Sequence, residues 1–294
     1  MSLDPDYYER QYNNRLTIPD ANAFNARGAE RSIAARARLR AHLDLEYGPS
    51  PRQRIDLFPA ADPASPLLSF IHGGYWRARD KAEFSFIAEP FVAAGISVAL
   101  PEYDLTPAVD VRTIVAQMID AHVWLYRNAA TYGADPSRLF VAGHSAGGHL
   151  SAMMATVKWP CVDGDHLARP DAAPSANDLP LDLVKGVYTI SGVFDLAPML
   201  HFSFNADIGL DQASAKSLSP ITQTPARPMP VHTAVGALES DEFKRQCRVL
   251  AEHWPNNVRG HLEVPDCHHL SIVEALADPR SLLFRSVRDM VQRS

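Results

Sequence analysis

The chain has 294 residues, 46% apolar and 21% charged, with a formal net charge of −6. That balance suits a globular protein with a large core, and it provides no basic field for nucleic acid or an anionic membrane surface. No run approaches the ~18–20 apolar residues of a membrane span, and the acidic start Met1-Ser2-Leu3-Asp4-Pro5-Asp6 lacks a secretory core, so a cytoplasmic protein is expected.

Residues 1–43 read as an N-terminal arm, helical over the Ala-rich stretch 29–43, which has no Pro or Gly beyond its start. Arg27, Arg31, Arg36, Arg38 and Arg40 crowd it, and in an acidic chain such a row is a solvated helix face before it is a phosphate site. Two strands follow over 43–47 and 53–58, separated by Gly48-Pro49-Ser50-Pro51. An apolar strand from Leu67 then ends in His72-Gly73-Gly74-Tyr75-Trp76, a loop of the kind that aims bare backbone N–H groups at an oxyanion. Residues 96–100 form a continuous apolar strand, as in a parallel sheet covered on both faces. Over 109–132, Ile114, Met118 and Leu125 recur at helical spacing, with Gly133 placed to end the helix. His122 on that helix reads as a packed or surface histidine.

The stretch 138–155 carries the sharpest signal. A buried strand runs into Gly143-His144-Ser145-Ala146-Gly147 and then a helix, which is a nucleophile elbow: the turn needs near-absent side chains beside the serine and holds its hydroxyl above the sheet. The helix that follows aims N–H groups and a positive dipole end at developing negative charge. Ser145 is therefore the candidate nucleophile, with Gly73, Gly74, Tyr75 and Ala146 as candidate oxyanion donors.

Residues 159–180, rich in proline, read as a long surface loop. Asp163, Asp165 and His166 within it lack a convincing further ligand, so a metal-dependent reading is weak and no metal or cofactor is expected. After a strand over 184–190, the segment 194–221 brings Phe194, His201, Phe202 and Phe204 toward the rim that should hold the site. It reads as a short lid with aromatic pocket walls, Tyr75, Trp76 and His144 completing the pocket; plain core packing is the competing reading.

A strand over 230–235 is followed by Gly236-Ala237-Leu238-Glu239-Ser240-Asp241, and another over 260–264 by Pro265-Asp266-Cys267-His268-His269. Both loops leave the carboxyl ends of strands, where ligands bind in open α/β sheets. Glu239 is the preferred acid, with Asp241 as alternative because it stands where a helix begins and can cap it; Glu242 reads as a first-turn helix charge. His269 is the preferred base and His268 the second choice. The chemistry requires the histidine to take the serine proton, the carboxylate to fix its tautomer, and backbone amides to hold a tetrahedral oxyanion. Cys161, Cys247 and Cys267, odd in number and without ligand spacing, fit unpaired thiols in a reducing compartment.

Alternating strands and helices make 1–294 a single α/β domain, mostly parallel and doubly wound, with helices on both faces. The blocks His72-Gly73-Gly74-Tyr75-Trp76, Gly143 to His149, Ser191-Gly192-Val193-Phe194-Asp195-Leu196, Glu239 to Phe243 with Arg245-Gln246, and the opening Glu9-Arg10-Gln11-Tyr12-Asn13 resemble the arylformamidase (kynurenine formamidase) branch of the α/β hydrolases. The resemblance covers nearly the whole chain. It implies Ser145, Glu239 and His269 as nucleophile, acid and base, and a small aromatic amide or ester as substrate. Two positions depart from the pattern: the acid is Glu where Asp is expected, and Leu270 stands where Phe is expected. A broad carboxylesterase shares every catalytic residue, while a non-catalytic receptor on the same fold would usually lack a triad member. A homodimer is left open.

Overall fold

Apolar runs long enough to exclude water from both sides become the inner strands of one eight-stranded sheet. The computed structural model describes residues 5–161 and 179–293. Its strands are β1 (His42–Glu46), β2 (Arg54–Phe58), β3 (Pro66–Ile71), β4 (Ser97–Pro101), β5 (Asp135–His144), β6 (Val184–Ile190), β7 (Val231–Gly236) and β8 (Val258–Val264). They lie in the order β1-β2-β4-β3-β5-β6-β7-β8, antiparallel at the β1–β2 and β2–β4 pairs and parallel elsewhere.

The helices are α1 (Pro5–Tyr12), α2 (Asn14–Thr17), α3 (Ala21–Arg38), α4 (Ala88–Ala93), α5 (Val111–Asn128), α6 (Ala146–Thr156), α7 (Asn205–Ile208), α8 (Gln212–Ser217), α9 (Asp241–His253), α10 (Ser271–Leu276) and α11 (Leu282–Arg293). They cover both faces because successive side chains of a strand point opposite ways. Leu67, Ile71, Val141, Val187 and Val235 face Met118, Leu150 and Leu250 of α5, α6 and α9. Leu68, Phe70, Phe140, Tyr188 and Ala234 face Phe91, Ile272 and Val287 of α4, α10 and α11. Each such fully buried side chain contributes ~1.5–3 kcal/mol.

Helix α5 begins where the Asp110 carboxylate accepts from Thr113 N–H (2.7 Å). Its continuation ends at Gly133, in the left-handed region with φ 86°. The chain leaves β3 toward β4 on one side and returns to β5 on the other. The carboxyl ends of β3 and β5 therefore border the crevice where strand order reverses, the place where open α/β sheets take ligands.

The arginines of the N-terminal segment lie on an exposed or half-exposed helix face as expected, while its other side packs on the body. Tyr12 is fully buried, and α3 lies on the 3-10 segment Lys81–Ile87, with Gly28 close enough that an added Cβ would stand 3.4 Å from the Phe86 ring. Its arginines tie it down: Arg27 pairs with Glu274 and Arg38 with Glu89, and the Arg31 guanidinium lies 4.5 Å over Phe86. Asp163, Asp165 and His166, the residues of the weak metal-dependent reading, lie outside the described residues.

Candidate active site

Ser145 stands between β5 and α6 at φ 58°, ψ −118°, a backbone strained for any residue with a Cβ. The neighbouring glycines make the turn feasible. A Cβ on Gly143 would fall 2.2 Å from the Gly147 carbonyl oxygen, and one on Gly147 would fall 2.0 Å from that of Ile71. Ser145 N–H donates to the Ile190 carbonyl (2.8 Å), locking the elbow to the next strand. The first N–H groups of α6 have no intrahelical acceptor and open beside the serine.

Ser145 Oγ lies 2.9 Å from His269 Nε2, and His269 Nδ1 lies 2.6 Å from Glu239 Oε2. A carboxylate only accepts, so Nδ1 carries a proton and Nε2 presents its lone pair to the serine hydroxyl. The other carboxylate oxygen of Glu239 accepts from Gly236 N–H (2.7 Å) and Ser191 Oγ–H (2.5 Å). The longer Glu side chain is thus fixed at both oxygens and reaches the imidazole without slack. Gly236 permits this, since its Cβ would collide with the Cys267 carbonyl oxygen at 2.2 Å.

The alternatives are used otherwise. Asp241 is an exposed first residue of α9, whose cap is Ser240 rather than Asp241. His268 Nδ1 accepts from the N–H groups of Leu270 and Ser271 at 3.2 Å, capping the start of α10. Glu242 is a first-turn charge of α9 as expected, but it is also buried, paired with Arg245 and bonded to the Tyr12 hydroxyl at 2.8 Å.

The loop after β3 lies directly against the elbow, where a Cβ on Gly73 would come 2.9 Å from Ser145 Cβ. Gly74, Tyr75 and Trp76 all have positive φ (124°, 52° and 56°), so the loop turns its peptide groups by a route that L-residues resist. His72 anchors it. Stacked between Tyr103 (4.5 Å) and Phe84 (5.5 Å), its ring meets the Gly73 carbonyl oxygen through Nδ1 (2.7 Å) and Glu102 through Nε2 (2.9 Å). Burial alone would raise the Glu102 pKa, but His72, Arg52 and the Lys81 N–H outweigh it and hold the carboxyl at about 2. Tyr75 is fastened from outside, donating its hydroxyl to the Tyr12 carbonyl (2.5 Å).

A cavity opens above Ser145, His144, His269, Gly73, Gly74 and Tyr75. Its apolar walls come from Phe24, Phe84, Phe86, Phe204, Leu270 and Val273, and its polar rim from Asn13, Asn14, Arg15, Asn22, Asn25, Arg77 and Arg79. Of the expected pocket residues, Tyr75, His144 and Phe204 border it. Trp76 does not; it is fully buried beneath the loop, edge-on to His149. Phe194 and Phe202 belong to the core, and His201 is exposed and stacked on Tyr8. The segment 194–221 is thus mainly packed against the body, because its backbone is spoken for: Phe194 and Asp195 N–H both donate to Gln246 Oε1, and Leu196 N–H to Ser219 Oγ.

The missing wall is the N-terminal segment. Ala21, Phe24, Asn25 and Gly28 of α3 line the cavity at i, i+3, i+4 and i+7, one face of a helix. That spacing is present in the sequence, but its mixed polarity forms no apolar stripe.

Comparison with known proteins gives likenesses of three kinds. The BD-FAE family model matches residues 55–235, which spans β2 to β7 and the elbow. Kynurenine formamidase of Danio rerio is 27% identical over 100% of this chain and 98% of its own, and that of Salmo salar is 26% identical over 94% and 91%. Among solved structures, a candidate thioesterase from Silicibacter sp. TM1040 is 32% identical, covers 97% of this chain and 98% of its own, and superposes with a TM-score of 0.77. Esterase B from Lactobacillus rhamnosis, 20% identical with a TM-score of 0.69 over 96% of this chain and 97% of its own, shares the α/β-hydrolase fold.

Proposed function

Since the chain belongs to the BD-FAE family and is a hydrolase with the α/β-hydrolase fold, similar to the kynurenine formamidases, we propose that it is a serine hydrolase cleaving an aryl formamide of the N-formylkynurenine kind or a short-chain aryl ester. The observation that carries this reading is the unbroken series Ser145–His269–Glu239 at the floor of a cavity with phenylalanine walls. In it His269 takes the Ser145 proton as Oγ attacks the carbonyl carbon. Glu239 holds the ring and balances the imidazolium that forms. N–H groups of the 73–75 loop and Ala146 stabilise the oxyanion, and the acyl-enzyme is then released to water.

The aromatic walls favour a flat leaving group by burial and edge contact. The asparagine and arginine rim suits a polar or charged substituent on it, as kynurenine-type substrates carry. A broader carboxylesterase is the second reading, favoured by the likeness across nearly the whole chain to the candidate thioesterase. Specificity constants for N-formylkynurenine beside nitrophenyl esters from acetate to decanoate separate the two. The formamide and the short esters should be cleaved, with a steep fall beyond about four acyl carbons, where overpacking costs ~1–3 kcal/mol. Good short-ester activity without formamide cleavage would leave the esterase, and a maximum at long chains would overturn both.

A further inference from the structure

His144 precedes the serine and is 5% exposed, yet only one of its ring nitrogens is engaged. Nε2 donates to the His269 carbonyl at 2.8 Å; a carbonyl only accepts, so the proton sits on Nε2 and Nδ1 presents a lone pair. Burial, reinforced by the neighbouring His269, holds the ring in its neutral form. No hydrogen bond to Nδ1 occurs among the described residues, and His144 lines the cavity beside Ser145 and Gly73. An added Cβ on Gly73 would lie 3.3 Å from Nδ1 and 2.9 Å from Ser145 Cβ, so Nδ1 stands close to both the Gly73 loop and the serine. The ring also packs on that of His269, centroids 4.6 Å apart.

We propose that Nδ1 of His144 accepts the scissile N–H of an amide substrate, making His144 the residue that lets this site cleave amides as well as esters; the proposal rests on the hydrolase reading above. Attack forms the Ser145 Oγ–C bond and moves the hydroxyl proton to His269 Nε2. The C–N bond then breaks as that proton passes to nitrogen, and an aryl amine leaves. To receive it, the nitrogen must turn its lone pair toward His269, which swings its own hydrogen away. At the buried floor of the cavity that hydrogen needs an acceptor or the transition state bears the cost of a buried, unpaired donor. An ester oxygen has no hydrogen to place, so the acceptor discriminates between the two classes.

The test uses formanilide and phenyl formate, which share acyl group and ring, with two variants of the full chain. His144→Gln keeps a donor near the Nε2 position and loses the acceptor at Nδ1; His144→Asn places an oxygen near Nδ1 and loses the donor. The amide-to-ester ratio of kcat/KM should fall at least about tenfold in the Gln variant. In the Asn variant both rates should drop while the ratio stays near that of the parent. Labelling of Ser145 by an aryl phosphonate reports an intact site. Should the Gln variant not fold, His144→Leu must show the same loss of ratio. An unchanged ratio in the variant that lacks the acceptor, with the parent cleaving formanilide, overturns the role of His144 and leaves the hydrolase reading standing. A parent that cleaves phenyl formate and not formanilide removes the amide half of that reading, and this proposal with it.

Discussion

At the scale of single residues, the site separates groups that react from groups that hold. Ser145→Ala should lower turnover by roughly 10³-fold or more while the thermal melting curve stays in place, because among the described residues the hydroxyl's only hydrogen-bond partner is the His269 imidazole. His269→Ala should do comparable damage. His268→Ala should do much less, since its ring nitrogen caps a helix and its ring meets Phe24 at 4.7 Å. Steady-state kinetics on the three purified variants decide the assignment, and a dead His268→Ala beside an active His269→Ala would reverse it. Among the cysteines, burial pushes the Cys247 thiol up to about 12 and raises Cys267 as well, so neither supplies a thiolate near neutrality.

At the scale of elements, the notable arrangement is that the N-terminal segment braces the loops of the candidate site. Helix α1 reaches the loop after β3 through the Tyr12 carbonyl and reaches α9 through the Tyr12 hydroxyl, which donates to Glu242 and accepts from Gln246 Nε2, both at 2.8 Å. Tyr12→Phe keeps the ring in place but leaves those partners short of a bond in a dry setting. A loss of about 1–3 kcal/mol in denaturant titration is expected, and an unchanged midpoint would show that the network is slack. The pocket walls allow a second contrast. Phe24→Ala should raise KM for aryl substrates with modest effect on stability, because Phe24 is half-buried on the cavity side of α3. Phe202→Ala should instead cost about 3–5 kcal/mol of stability, because that ring is in the core. If KM moved with Phe202 and not with Phe24, the wall would belong to the segment 194–221 after all.

At the scale of the whole molecule, pH acts on folding through buried imidazoles. Burial holds His122 and His149 at about 4 against an ordinary 6.5, with one nitrogen of each bonded to a backbone carbonyl and the other unpaired. Between those values the unfolded chain binds protons that the folded chain refuses. Stability is therefore complete above about pH 6.5 and declines as pH falls toward 4, by a few kcal/mol in all. Glu102 acts in a lower window: its folded pKa of about 2 lies below the ordinary 4.5, so its contribution is present above that value and fades as pH falls toward 2. Urea midpoints taken from pH 7.5 to 4 should fall across the histidine window, and a flat series would mean that these rings protonate without unfolding. No helix among the described residues is long and apolar enough to cross a membrane.

What the sequence determined by itself was whatever depends on short-range stereochemistry. The elbow is legible because only glycine fits where Gly143 and Gly147 meet backbone oxygens, and the inner strands are legible because β3 and β4 are buried at every position. The same logic placed Glu239 and His269 at strand ends. Tertiary structure decided what depends on partners far away in the chain. Whether an aromatic residue is wall or core is set by what stands opposite it, so Trp76, Phe194 and Phe202 went inward while Phe24, in a segment read as an N-terminal arm, came to face the cavity. Glu242 likewise looks like an ordinary first-turn charge until Tyr12, 230 positions away, meets it. Local pattern can specify a turn or a strand face, but a side chain's surroundings are a property of the whole packed chain.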